Sequence, residues 1–434
     1  MLNLKKKYLI IIILLILILF PAVLSGCGVY NSDTAKNDLS YLSNDITGEK
    51  VTLEYYIWSD EESYIRSVIK AYCALNTNIT INLHVIDTDF YENDIRALLS
   101  GDTKIDLLGV RGISQMVMIY DMGLLLDLTP YMKSSGMDIT VYGSMFNDIA
   151  IHSRYYGIPA RSTCWILLYN KDLFDAAHMP YPGEMTWDEY RQLAISLTRG
   201  EGKNKIYGGF WVPWCYNFAA LQQSSYLIDD DLTPTRQSLE LLNNFYNIDH
   251  SHYSFTKIHN QEVDYREEFE KGNIAMMPQG EWIVNMLLED QAKGLTDINW
   301  DIAPMPVLKG QNAGITWGQY QFVSIAADSA HPREAFDFIH FLCGEAGARI
   351  YAQNGIIHAY VNDDIKQLYL KAVGKESASI FFEAKRVQEQ LAVSGYQEVT
   401  EAFKTCAENY LLGKCTLDEA MDEINRKRTE ILNP

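Results

Sequence analysis

An α/β architecture with more than one domain is what this sequence predicts, and three observations carry it. Strand-like and helix-like patterns alternate from residue 51 to residue 110. At 434 residues the chain exceeds one core of ordinary size, so two domains are expected. Its 48% hydrophobic and 21% charged content is that of a globular chain.

Val51 to Trp58 is β-branched and aromatic and reads as a strand. Ser59-Asp60-Glu61-Glu62 follows, with the serine as N-cap and acids in a first helical turn. Ile65, Val68, Ile69 and Tyr72 then form one apolar helical stripe. Ile79 to Ile86 alternates as a second strand, a helix is expected over about Phe90 to Leu99, and Ile105 to Val110 is a short apolar strand. Strands joined by helices in this order form a parallel sheet, which binds ligands beyond its carboxyl ends. Trp58, Ser59 and Asp60 stand at one such end, and Arg111 and Gly112 at another. Further along, Thr186 with Glu189 and Thr416 with Glu419 have capping-box spacing. Gly413-Lys414 stops the helix before the second of these. After His331-Pro332, the apolar residues Ala335, Phe336, Phe338, Ile339, Phe341 and Leu342 mark another helix.

The beginning of the chain bears on where it works. Lys5, Lys6 and Lys7 precede an apolar run from Tyr8 to Phe20, followed by Leu24-Ser25-Gly26-Cys27. A charged region, a short apolar region and small residues before a cleavage point make a secretory signal. The cysteine after Leu-Ser-Gly resembles the lipobox of bacterial lipoproteins, which implies a signal peptide over 1–26 and lipidation of Cys27. An uncleaved anchor is the competing reading, because the run continues through Pro21-Ala22-Val23. Residues 27–48 are polar and lack periodicity, which predicts a tether whose ends lie about 25 Å apart. Acyl chains would hold the protein at the outer face of the membrane without a spanning helix.

The formal net charge of -20 disfavours nucleic acid and anionic headgroups as partners and is neutral on an uncharged ligand. The cysteines after Cys27 (Cys73, Cys164, Cys215, Cys343, Cys406 and Cys415) form no Cys-x-x-Cys pair. Buried thiols are expected for most, with pairing of Cys406 and Cys415 left open.

The middle of the chain carries the most specific segments. They are Gly157-Ile158-Pro159-Ala160 before Leu168-Tyr169-Asn170-Lys171-Asp172-Leu173-Phe174, then Thr186-Trp187-Asp188-Glu189. Gly272-Asn273-Ile274-Ala275-Met276-Met277 with Gly280-Glu281-Trp282 follows, and then Ala303-Pro304-Met305-Pro306. In this order the segments resemble the extracellular sugar-binding proteins of ABC importers, the relatives of maltose-binding protein, over roughly residues 50 to 434. That resemblance implies a two-lobe fold with the ligand clamped between lobes. It places the first crossover near Pro159-Ala160-Arg161 and the return near Ala303-Pro304-Met305. Lobe one would comprise 49–158 and 304–347, and lobe two 159–303 and 348–434. A monomer is implied that has no cofactor, takes a carbohydrate and meets the permease subunits of an importer.

A sugar offers C–H faces and a rim of hydroxyls, so its binder needs aromatic surfaces and polar side chains around them. Trp187, Trp165 and Trp300 lie in helix-start or strand-like contexts and are assigned to packing. Trp58 ends a strand, Trp211 and Trp214 follow the Gly208-Gly209 break, Trp282 follows Gly280-Glu281, and Trp317 lies in a Gly-rich loop. These five are the candidate stacking residues. Asp60, Glu61, Arg111, Arg161, Ser162 and Glu281 are the candidate polar ligands of hydroxyls.

Two other readings compete. A lipid-anchored glycan-processing enzyme would use an acid pair such as Asp60 and Glu281 across a glycosidic bond. A binder of a non-sugar ligand such as a polyamine would use the tryptophans as an aromatic cage. His250-Ser251-His252 has no third ligand at recognisable spacing and is read as a loop pair, with no metal site expected. Phosphate-loop, dinucleotide, zinc-protease and nucleophile-elbow patterns are missing.

Overall fold

A computed structural model describes residues 49–433. The expected signal peptide, Cys27 and the tether lie outside the described residues. Among the described residues no helix is long and apolar enough to cross a membrane.

The strands are β1 (Val51–Trp58), β2 (Ile79–Ile86), β3 (Leu107–Val110), β4 (Ile158–Ser162), β5 (Trp165–Asn170), β6 (Met276–Gly280), β7 (Trp300–Ala303), β8 (Ile315–Gly318), β9 (Tyr320–Ile325) and β10 (Lys385–Gln388). The helices that matter below are α1 (Glu62–Leu75), α2 (Tyr91–Leu99), α3 (Ile113–Asp121), α4 (Trp187–Leu197), α5 (Tyr265–Glu270), α6 (Trp282–Lys293), α7 (Pro332–Cys343), α8 (Glu345–Gln353), α9 (Tyr396–Leu411) and α10 (Leu417–Leu432).

The first sheet has the order β2-β1-β3-β9-β4. β1 pairs in parallel with β2 and β3, as the alternation of strand and helix requires. β9 and β4 are antiparallel additions, so the sheet is mixed rather than wholly parallel. The second sheet, β6-β5-β7, is antiparallel throughout, and β10 pairs with β8 in a separate parallel ribbon. Ser59 does not cap α1. Its hydroxyl meets the Thr88 hydroxyl at 2.9 Å and accepts from the Thr88 N–H at 3.2 Å, tying the ends of β1 and β2 together. Both capping boxes form, at Thr186 before α4 and at Thr416 before α10.

Two hydrophobic cores result. The first holds β1, β2, β3, β9, Ile65 and Val68 of α1, and Phe336, Phe338 and Ile339 of α7. The second holds β5 and its neighbours, with Trp165, Trp187, Trp211, Trp300 and Trp317 enclosed. The chain leaves the first core after Ala160 and enters the second at Cys164. Met305 and Trp317 still pack in the second core, and the first is regained at Tyr320. The stretch from Pro304 to Gly318, expected in lobe one, gives Met305 and Trp317 to the second core, and its strand β8 pairs with β10. Helix α8 gives Ala348 and Ala352 to the second core and Tyr351 to the first.

The two crossing segments are stapled together. Thr163 N–H donates to the Gln319 carbonyl at 2.9 Å, and Gln319 N–H donates to the Thr163 hydroxyl at 2.8 Å. Gly318 lets them touch, since a Cβ there would lie 2.0 Å from the Thr163 carbonyl oxygen.

Candidate ligand site between the two cores

The carboxyl ends of β1 and β3 bring Asp60 and Arg111 together. Arg111 donates to the Thr88 carbonyl at 3.0 Å, stands 5.7 Å over the Trp58 ring, and has Glu92 at 3.9 Å. Desolvation by surrounding protein raises the Asp60 carboxyl, opposed by the Thr88 hydrogen bond and by the charges of Arg111 and Arg161. Yet the Asp60 side chain is exposed. Dense surroundings with open surface are the signature of a side chain in a concavity.

Facing these residues from the second core is a half-open aromatic group. Trp214 is 45% exposed and meets the Tyr265 ring edge-on at 5.7 Å. Trp282 acts on the Tyr265 phenol from the other side, lowering its pKa against the effect of burial. Burial and then the negative charge of Asp60 raise the Tyr265 phenol, which places it within electrostatic reach of the β1 end. Trp282 starts α6 with its ring lying over Gly280, where a Cβ would sit 1.9 Å from it. Its other contact is edge-on with Trp165 at 5.7 Å, so one face of the indole backs on the core while the side chain stays partly exposed.

Other candidates stand elsewhere. Trp211 and Trp317 are wholly enclosed, Trp165 lying 6.4 Å from the first and 5.3 Å from the second. The Trp211 indole donates to the Cys215 carbonyl at 2.8 Å, satisfying its one polar atom inside the core. Trp58 is buried under α2, edge-on to Tyr91, and only the Gly109 backbone leaves room for its ring. Ser162 is buried in β4.

Glu61, Arg161 and Glu281 engage one another rather than open space. Arg161 donates to Glu281 at 2.5 Å and to Glu61 at 3.4 Å, and Tyr64 donates to Glu61 at 2.6 Å. All three charged groups are buried. Burial raises the Glu61 carboxyl, partly offset by Arg161. Burial disfavours the Arg161 charge too, but Tyr64, Glu281 and Glu61 outweigh it and hold the guanidinium above its ordinary range. One arginine on the crossing strand thereby ties a first-core loop to a second-core helix start. Ser63 adds an exposed tie, donating to Glu289 of α6 at 2.7 Å.

Of the histidine pair, His252 is buried against Tyr190 and Ser251, and burial lowers its pKa to about 3. No acid, histidine and thiol cluster suited to a metal occurs among the described residues. The six cysteines after Cys27 are free thiols, with Cys406 buried and Cys415 half-buried.

Sequence reasoning missed Tyr265 and a run of glutamines. Gln319 and Gln321 lie beside the crossing, and Gln388 and Gln390 at the end of β10. Gln321 lies in β9 and Gln388 ends β10, while Gln319 and Gln390 fall just outside those strands, so no strand periodicity marks them in the sequence.

The family model for bacterial extracellular solute-binding proteins matches residues 58–349. A Brucella abortus protein named as a binding protein is 21% identical over 384 residues, covering 85% of this chain and 90% of that one. Among solved structures, a Rhizobium etli sugar transporter in an open conformation is 26% identical with a TM-score of 0.72, covering 87% of this chain and 99% of that one. A Listeria monocytogenes ABC substrate-binding protein in complex with cycloalternan is 21% identical with a TM-score of 0.78, covering 88% of this chain and 99% of its own.

Proposed function

The chain belongs to the bacterial extracellular solute-binding protein family, and within it we propose a lipid-anchored receptor that captures a mono- or oligosaccharide for an ABC importer. The observation that carries this reading is the pairing of Asp60 and Arg111 at the strand ends with the half-open group Trp214, Tyr265 and Trp282 opposite. An aromatic face stacks on the C–H side of a pyranose, and charged groups make the strong hydrogen bonds to its hydroxyls. The lobes follow the two cores, so the site sits where their relative movement would enclose a ligand, and the closed form would be favoured by its higher affinity.

The glycan-processing alternative loses its acid pair. Glu281 is wholly buried on Arg161 and offers no carboxylate to a substrate opposite Asp60. A polyamine would be drawn to Asp60 but would meet Arg111 beside it.

Cys27 is the proposed attachment point for lipid, and the receptor is proposed to act as a monomer at the outer face of the membrane, handing its ligand to permease subunits. Two experiments test the reading. Thermal shift of residues 49–433 against maltotriose, mannotriose, cycloalternan and tagatose should raise the melting temperature with at least one sugar, without its consumption; turnover of the sugar restores the enzyme reading. For the anchor, Cys27→Ala should release the protein from membranes or leave it unprocessed, and mass spectrometry showing an unmodified Cys27 removes it.

A further inference from the structure

Several buried amide groups beside the Asp60 and Arg111 pair have no hydrogen-bond partner within the protein. Gln115, one turn into α3, accepts from the Arg111 N–H at 2.7 Å through its carbonyl, leaving its amide NH2 unpaired. Gln319 on the crossing segment is fixed through its backbone to Thr163, yet its side-chain carbonyl is unpaired. Gln388 at the end of β10 is unpaired at both ends of its amide. A buried amide left unpaired is costly, so a cluster of them calls for an occupant.

Gly112 brings these groups into one place. A Cβ at Gly112 would fall 2.5 Å from the Gln319 carbonyl oxygen and 2.3 Å from that of Gln390. Gln390 is already spent, accepting from the Ser114 N–H at 3.1 Å and its hydroxyl at 2.8 Å. Gln388 ends β10 two residues before it and pairs with Gly318, the residue before Gln319. The cluster therefore lies where the first-core strand end Arg111-Gly112, the crossing segment and β10 meet.

Its chemistry selects among ligands. The unpaired set contains amide N–H donors and carbonyl acceptors together, whichever way each amide is turned. An ammonium only donates and a carboxylate or phosphate only accepts, whereas a hydroxyl does both. Arg386, on the same side, is engaged: it donates to the Thr163 carbonyl at 3.3 Å and lies 4.8 Å over the Tyr320 ring.

We propose that Gln115, Gln319 and Gln388 form a hydroxyl-binding patch of the ligand site, which selects neutral sugars over amino sugars and uronic acids. This rests on the sugar-binding reading, and the two fail separately. A wild-type protein that responds to none of the four neutral sugars above overturns the sugar reading before any variant is made. With the sugar that does bind, Gln388→Leu should weaken affinity at least tenfold while the ligand-free melting temperature stays level or rises, because an unpaired amide has been removed. Gln319→Leu should behave alike. A melting temperature several degrees lower without ligand would mean the amides are held by fixed water as part of the fold, and overturns the patch. Unchanged affinity overturns it as well. Glucosamine or glucuronate binding the wild type more tightly than glucose does would overturn the selectivity.

Discussion

Two polar clusters occupy the boundary between the cores, and they differ in how complete they are. Arg161 with Glu61, Glu281 and Tyr64 bonds mainly within itself, with Arg161 Nε and one Glu281 oxygen left without a partner. The glutamine cluster around Gly112 is open, with amide atoms facing no protein partner. The aromatic residues repeat the contrast: Trp165, Trp211 and Trp317 enclose one another, while Trp214 and Trp282 keep surface free. The contrast is between charges that bond mainly to one another and amides proposed to meet a ligand. That difference can be broken or sharpened by mutation.

The largest effect is expected where a closed cluster is opened. Arg161→Met leaves the Glu61 and Glu281 carboxylates buried without a counter-charge, which should cost about 3–5 kcal/mol in unfolding free energy. Denaturant melts at pH 7 measure it, and adding Glu281→Gln should recover part of the loss. A variant as stable as wild type would mean the ion cluster contributes nothing to the fold. Trp211→Ala should cost a similar ~3–5 kcal/mol, because the enclosed ring leaves a cavity among Trp165, Trp187, Phe218 and Trp317. An unchanged melting temperature with lost sugar affinity would move Trp211 to the ligand.

These two residues also show what was legible in the sequence. The alternation from Val51 to Val110 and both capping boxes could be read directly, because they depend on local periodicity and hydrogen bonding. The roles of Trp211 and Arg161 could not, because they depend on neighbours far away in the chain. Gly208-Gly209 before Trp211 reads in the sequence as a break where a backbone could come close to a ligand. Instead, a Cβ at Gly208 would lie 1.7 Å from the Ala194 carbonyl oxygen, and one at Gly209 2.4 Å from the His252 ring. The glycines allow helix α4 and a histidine to approach, which is the other reason proteins place glycine there. In the same way Gly318 beside Trp317 admits the crossing strand. Tyr265 escaped notice because a short polar helix gives no pattern that marks one tyrosine among 28.

A smaller effect is expected from Glu389, the open counterpart of Glu61. Burial raises its carboxyl to about 7, and it has no hydrogen bond or ion pair to offset that among the described residues. Its charge is felt by Cys215 and Tyr396, whose pKa values it raises. The folded protein keeps this proton to about pH 7, whereas the unfolded chain loses it near the ordinary glutamate value of 4.5. Stability from this group is therefore greatest below about 4.5 and falls as pH rises towards 7. Its share is on the order of 2–3 kcal/mol. Glu389→Gln should remove that slope and melt higher than wild type at pH 8; parallel pH profiles for the two proteins would show that the acid is not strained.

The smallest effect separates the two aromatic sets most sharply. Trp282 lays its ring over Gly280 and packs edge-on against Trp165, and the part that stays exposed is the surface proposed for a pyranose face. Trp282→Ala should weaken sugar binding by about 1–3 kcal/mol, the range for losing an aromatic contact at an interface. The ligand-free fold should lose less than Trp211→Ala does, because a half-open side chain leaves no closed cavity when truncated. Calorimetry with the sugar that shifts the wild type, set beside the melting temperature without ligand, reads both quantities on one protein. If Trp282→Ala lowers the melting temperature as far as Trp211→Ala and leaves affinity intact, the half-open group is core after all, and Trp214 with Tyr265 loses its place opposite Asp60.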